Sequence, residues 1–87
     1  MFNESRETRI VKDGVYHLSL QIPEKEFFLV YDNVSENIAS EILNHYLKIH
    51  QDDGEPQNIN IKHNRNAHMI NIDADLKYIG NAKNNEG

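Results

Sequence analysis

The sequence predicts an α+β fold in which an antiparallel sheet packs against one amphipathic helix. Three observations predict it: short segments alternate between apolar and polar residues, one longer segment repeats its apolar residues at helical spacing, and turn sequences separate these segments. At 87 residues, the chain has room for one hydrophobic core and not for two, which predicts a single domain over residues 1–87. The expected order is β-β-β-α-β-β, an antiparallel meander followed by a helix and a C-terminal hairpin.

The first half of the chain is predicted to form the meander. Residues 15–22 (VYHLSLQI) alternate strictly, as a strand with one buried face does. Asp13-Gly14 joins them to a first strand over residues 8–12, because this dipeptide accepts the positive φ angles of a two-residue hairpin turn. Residues 26–32 (EFFLVYD) are aromatic and branched, so we expect a third strand there, paired with the second.

The second half is predicted to form the helix and the C-terminal hairpin. Asn33 is a suitable N-cap for a helix over about residues 34–50, which is apolar on one side. Residues 58–64 and 67–79 are predicted to pair as a hairpin with His63 opposite His68. The helix is expected to cover an apolar sheet face formed by Leu18, Leu20, Ile22, Phe27, Leu29, Tyr31, Ile59, Ile61, Ile70 and Ile72.

The ends of the chain and its composition bear on where the protein is located. Residues 1–6 and 80–87 are polar and are predicted to be disordered tails. No apolar run approaches the length of a membrane span, and the start lacks the pattern of a secretory signal. The chain has no cysteine, which favours a reducing cytoplasm. Its many Asn and Ile residues, which have A/T-rich codons, favour a bacterial or phage source.

The sequence contains no motif that indicates an enzyme or a cofactor. Phosphate-binding glycine loops and zinc-protease motifs are absent, and there is no thiol nucleophile. His17 is expected to face Asp32 across the second and third strands, with Ser19 nearby, but a surface pair of this kind is usually structural. We therefore expect a protein that has no enzymatic activity and binds no cofactor.

The face of the meander opposite the helix is the predicted partner-binding surface. Ile10, Val15, Phe28 and Val30 would lie there beside polar residues, and exposed apolar surface of this kind commonly marks an association site. The expected function is therefore a small binding or regulatory protein that acts through protein contacts, as a homodimer or with another protein. The alternative is that the chain folds over this face and buries it.

The predicted turn of the C-terminal hairpin suggests two further functions. Its basic and amide side chains could contact nucleic acid through Lys62, Asn64, Arg65 and Asn66. The net charge of −5 and the lack of nearby aromatic residues make nucleic acid the less favoured partner. His63 and His68 are weak candidate metal ligands, because two histidines do not complete a site. A metal-binding or small-molecule-binding domain is thus the third hypothesis.

Overall fold

The computed structural model describes residues 5–78, which contain a four-stranded antiparallel sheet and two helices. The strands are β1 (Arg6–Lys12), β2 (Val15–Pro23), β3 (Glu55–Asn64) and β4 (Met69–Lys77), and the helices are α1 (Glu24–Val30) and α2 (Glu36–Ile49). In the sheet the order is β1-β2-β4-β3, so each hairpin contributes one central and one edge strand. The α+β class and the antiparallel sheet are confirmed, whereas the element order is β-β-α-α-β-β.

The tails predicted at residues 1–6 and 80–87 fall largely outside the described residues. Residues 1–4 and 79–87 are among those not described. Arg6 does not belong to a disordered tail, because β1 begins at this residue and pairs with Gln21 of β2.

The first hairpin matches the prediction. Lys12 pairs with Val15, and the two residues between them, Asp13 and Gly14, have φ angles of 54° and 78°. This is the backbone of the primed two-residue turns that follow the right-handed twist of a hairpin. The turn sequence therefore determines the register of β1 on β2.

Pairing between β2 and β4 forms the centre of the sheet. The register runs from Tyr16 opposite Leu76 to Pro23 opposite Met69. Every second residue faces the helices and is buried from Leu18 to Ile22 in β2 and from Ile70 to Leu76 in β4, because side chains alternate between the two faces of a strand. The buried core consists of Leu18, Leu20, Ile22, Phe27, Ala39, Ile42, Leu43, Leu47, Ile70, Ile72, Ala74 and Leu76.

The third strand predicted over residues 26–32 is wrong, because Glu24–Val30 forms α1. The place beside β2 is taken by β4, whose apolar alternation is longer. Within α1 only Phe27 is buried, and its ring lies 5.3 Å from that of Tyr31, one helical turn later. Leu29, predicted to be in the core, is 80% exposed.

Helix α2 packs on the sheet as expected but begins two residues later than predicted. Its N-cap is Ser35, whose hydroxyl accepts a hydrogen bond from the Ile38 N–H at 3.3 Å, so the predicted cap at Asn33 is wrong. Serine serves equally well as a cap, and its use shortens the helix to Glu36–Ile49.

The C-terminal hairpin is confirmed, with a different register. Ile61 pairs with Ile72 and His63 with Ile70, so His63 does not lie opposite His68. The difference from the predicted register is an even number of residues, which keeps the isoleucines on the core side. Farther along β3 the register shifts at a bulge around Asn58, whose φ is 53°.

Side chains of β1 contact the helix layer although β1 itself is an edge strand. Arg9 donates to Asp52 at 3.0 Å and to Glu7 at 3.0 Å. Glu7 also accepts a hydrogen bond from the Tyr46 hydroxyl on α2. Partial burial, together with this contact to Glu7, raises the pKa of Tyr46 to about 12.

A matched pair of leucine variants tests the corrected assignment of residues 26–32. We expect Leu20→Ala to lower the free energy of unfolding by about 2–5 kcal/mol, because it leaves a cavity in the core. Leu29→Ala is expected to change it by less than about 0.5 kcal/mol, because the side chain already contacts water. Urea unfolding followed by circular dichroism measures both. Equal, large losses would place Leu29 in the core and contradict the helix.

Candidate protein-binding site

Helix α1 exposes three consecutive large apolar side chains. Phe28, Leu29 and Val30 are 39%, 80% and 57% exposed, whereas Phe27 beside them is fully buried. A seven-residue helix can direct only a narrow strip towards the core, so its other sides face solvent. The result is exposed apolar surface at one end of the sheet, spread over about 200° of the helix circumference, because successive residues of a helix are about 100° apart.

The turn of the C-terminal hairpin, which we call the tip (residues 65–68), is hydrogen-bonded to α1. The Glu24 N–H donates to the His68 carbonyl at 2.9 Å, and the His68 Nδ1 lies 3.3 Å from the Glu24 Oε1. The His63 Nε2 contacts the other oxygen of Glu24, and the His63 ring lies 5.5 Å from that of Phe28. These contacts join α1 and the tip into one surface, the α1–tip surface.

The electrostatics of the α1–tip surface centre on Glu24. Hydrogen bonds from His63 and His68 lower the pKa of the Glu24 carboxyl from its ordinary value, because both favour the charged carboxylate. Among residues 5–78, neither Lys62 nor Arg65 has a side-chain hydrogen bond or an ion pair. Only Arg65 of these two cations lies in the tip, because Lys62 follows the alternation of β3 and projects from the outer face of the sheet. The α1–tip surface therefore combines exposed apolar side chains with one unpaired cation.

The four residues predicted to bind a partner are divided between two places. Phe28 and Val30 belong to the α1–tip surface, so their predicted position on the outer sheet face is wrong. Ile10 and Val15 do lie on that face, beside His17 and Lys12 at the β1–β2 turn. Because β2 has nine residues and a strand rises ~3.3 Å per residue, the two groups lie at opposite ends of the sheet.

The outer face of the sheet is mainly polar, and its side chains bind one another. Asp75 contacts His17 and accepts a hydrogen bond from Asn58 at 2.9 Å. The Ser19 hydroxyl donates to Asp73 at 2.5 Å. The predicted partner of His17, Asp32, lies outside the sheet, because the segment that contains it is not a strand. These polar groups are therefore hydrogen-bonded to neighbours in the sheet, whereas the buried side-chain oxygen of Asn71 on β4 has no hydrogen-bond partner within the described residues.

The two histidines predicted as weak metal ligands both contact Glu24. Within the described part of the chain, no group of three or more His, Cys, Asp or Glu side chains is arranged to hold a metal ion. The pair instead connects the C-terminal hairpin to α1. No helix within the described residues is long and apolar enough to cross a membrane.

Comparison with known proteins yields no relative: no family model, curated sequence or solved structure matches this chain.

The sequence interpretation missed Glu24 and Leu29 as parts of the site. The available signal was the combination of Pro23 with acidic residues in the next turn, which favours a helix N-terminus. A second signal was the spacing of four residues between Phe27 and Tyr31. The high β propensity of the segment outweighed both signals.

Titration of Glu24 tests the contact between α1 and the tip. We expect His63→Asn to raise the pKa of Glu24 towards its ordinary value, because a donor to the carboxylate is lost. Side-chain carboxyl NMR measures the pKa. His17→Asn is the control, because His17 contacts Asp75 on the outer face and should leave Glu24 unchanged.

The same contact predicts how stability depends on pH. The folded-state pKa of Glu24 is lower than the unfolded value, so the stabilisation is present above about pH 4.3 and is lost as the pH falls through the folded pKa. The wild type is therefore expected to be more stable than Glu24→Gln above about pH 4.3, and the difference should shrink as the pH falls below that value. A difference that persists unchanged well below the folded pKa would contradict the assignment.

Proposed function

We propose that this chain is a small, non-enzymatic binding or regulatory module of the cytoplasm, and that its protein partner docks on the α1–tip surface. The observation that carries the proposal is the exposure of Phe28, Leu29 and Val30 on a helix whose only buried residue is Phe27. Contiguous exposed apolar side chains beside polar groups are typical of association sites. The absence of cysteine supports a reducing compartment.

Leu29 is the expected energetic centre of the interface. It is the most exposed of the large apolar residues in the described chain, so it has the most apolar area to lose on binding. Phe28 is held at the margin by the His63 ring and provides a rigid aromatic contact. A partner that covers both would bury a compact apolar centre ringed by polar groups.

The margin of the α1–tip surface indicates the chemistry of the partner. Arg65 lies in the tip and forms no ion pair within the described residues, whereas Glu24 contacts two histidines. An acidic group on the partner would therefore pair with this guanidinium in the tip. We expect the partner segment to present apolar side chains followed by Asp or Glu.

Nucleic acid remains the second candidate, supported by the same unpaired cations. Lys62 and Arg65 are exposed near Asn66. Asn64, however, is partly engaged, because its side-chain oxygen accepts a hydrogen bond from the Ala67 N–H at 3.1 Å. Salt-sensitive binding of single-stranded RNA that Arg65→Ala and Lys62→Ala weaken, while Leu29→Glu leaves it intact, would favour this candidate over a protein partner.

A display selection with two matched variants tests the protein-binding proposal. Peptides selected from a random library on the wild type should lose at least about tenfold in affinity for Leu29→Glu, because a carboxylate would enter the desolvated centre. Ile49→Glu is the control, since Ile49 is also an exposed apolar helical residue but lies at the end of α2. Binding would be measured by fluorescence anisotropy. Peptides that bind both variants equally would contradict the proposed site.

A further inference from the structure

The two edge strands of the sheet differ in how well they are protected from pairing with another strand. On β3, Pro56 lacks an N–H and the bulge at Asn58 interrupts the register. On β1, pairing with β2 continues without a break from Arg6 to Lys12, and all seven residues are exposed. Proline and bulges are two of the devices that block edge-to-edge association, and β1 has neither. Charged side chains are a third, and β1 carries four, so the register of pairing decides whether these charges repel or attract a second strand.

The hairpin turn determines which backbone groups of β1 are unpaired. Lys12 and Val15 flank a two-residue turn and therefore form a hydrogen-bonded pair. Because the pattern alternates along an antiparallel ladder, the N–H and C=O groups of Glu7, Arg9 and Val11 point away from β2. These groups form a straight, free hydrogen-bonding edge.

We propose that this edge binds a second copy of the chain, with β1 antiparallel to the partner's β1 about a two-fold axis. The two sheets would then join into one continuous sheet. The proposal goes beyond the protein-binding function above, because it uses the β1 edge of the sheet and not the α1–tip surface. A strand edge is complementary to itself, which makes an identical copy a suitable occupant.

Charge selects the register of this pairing. A two-fold axis at Arg9 would place Arg9 opposite the partner's Arg9 and Arg6 opposite the partner's Lys12, and like charges directly opposite are destabilising. An axis at Thr8 instead places each Glu7 opposite the partner's Arg9. An axis at Ile10 places no residues of opposite charge across from each other. The register centred on Thr8 is therefore the one we infer.

The side chains that make these cross-strand pairs are already held in place. Glu7 is bound by the Tyr46 hydroxyl, and Arg9 by Asp52 at 3.0 Å, so less side-chain entropy is lost on association. Edge pairing of one short strand buries less than the ~1,600 Å² of a standard interface. We therefore expect a concentration-dependent dimer with a Kd on the order of 100 μM.

Single-cysteine variants test both the dimer and its register. The chain has no cysteine, so any disulfide in such a variant must join two copies. With the axis at Thr8, the Thr8→Cys side chains would face each other in a pair that is not backbone hydrogen-bonded, close enough for a disulfide. We expect rapid covalent dimer formation for Thr8→Cys under mild oxidation. Ile10→Cys and, on the other edge, Lys62→Cys should remain monomeric on the same timescale.

The non-covalent dimer is tested by sedimentation velocity with two matched charge reversals. Glu7→Lys, which would place a lysine opposite the partner's Arg9, should weaken dimerisation at least about tenfold. Glu55→Lys makes the same change on the β3 edge and should have no effect. Circular dichroism verifies that both variants fold. Crosslinking of Thr8→Cys is then repeated in the Phe28→Glu background, where it should persist, because Phe28 belongs to the α1–tip surface and not to the β1 edge.

Three results would overturn the proposal. A wild type that stays monomeric at several hundred micromolar would exclude the dimer. Faster crosslinking of Ile10→Cys than of Thr8→Cys would exclude the register. Loss of the Thr8→Cys crosslink in the Phe28→Glu background, with the fold retained, would assign self-association to the α1–tip surface instead.

Discussion

Pairing of β2 with β4 is the contact on which the rest of the structure depends. It joins two hairpins that are distant in the sequence and brings their apolar faces together around Leu18, Leu20, Ile70 and Ile72. Neither hairpin alone could bury such a face, since an isolated two-stranded hairpin is only marginally stable in water. The joined face is wide enough for both helices, and every buried apolar side chain of the described residues belongs to one core cluster.

The same pairing explains why the chain exposes apolar residues on α1. Once β4 occupies the place beside β2, residues 24–30 cannot continue the sheet and turn back over its end as a short helix. Only Phe27 reaches the core, and the hydrogen bonds of Glu24 to His63 and His68 hold the helix against the tip. The α1–tip surface is therefore a consequence of the topology, and a partner would remove its apolar area from water.

The outer face and the edges of the sheet have different properties. On the outer face, Asp73 and Asp75 bind Ser19, His17 and Asn58, so these polar groups are satisfied within the chain. The edge of β3 is interrupted by Pro56 and a bulge, whereas that of β1 is continuous. Because unpaired backbone groups on an uninterrupted edge favour addition of a strand, the association with a second copy that we propose uses the edge of β1 and not the polar face.

The sequence by itself determined the features that depend on neighbours along the chain. The alternation in β2, the Asp13-Gly14 turn, the apolar side of α2 and the existence of the second hairpin were all predictable, because local periodicity and turn chemistry suffice for them. Tertiary structure decided which strand lies beside β2, and thus whether residues 26–32 form a strand or a helix. It also decided that Phe28 lies beside the tip and not on the outer face with Ile10. Residues 26–32 and β4 have similar β propensity and competed for the place beside β2, and only the packing of the whole core selects between them.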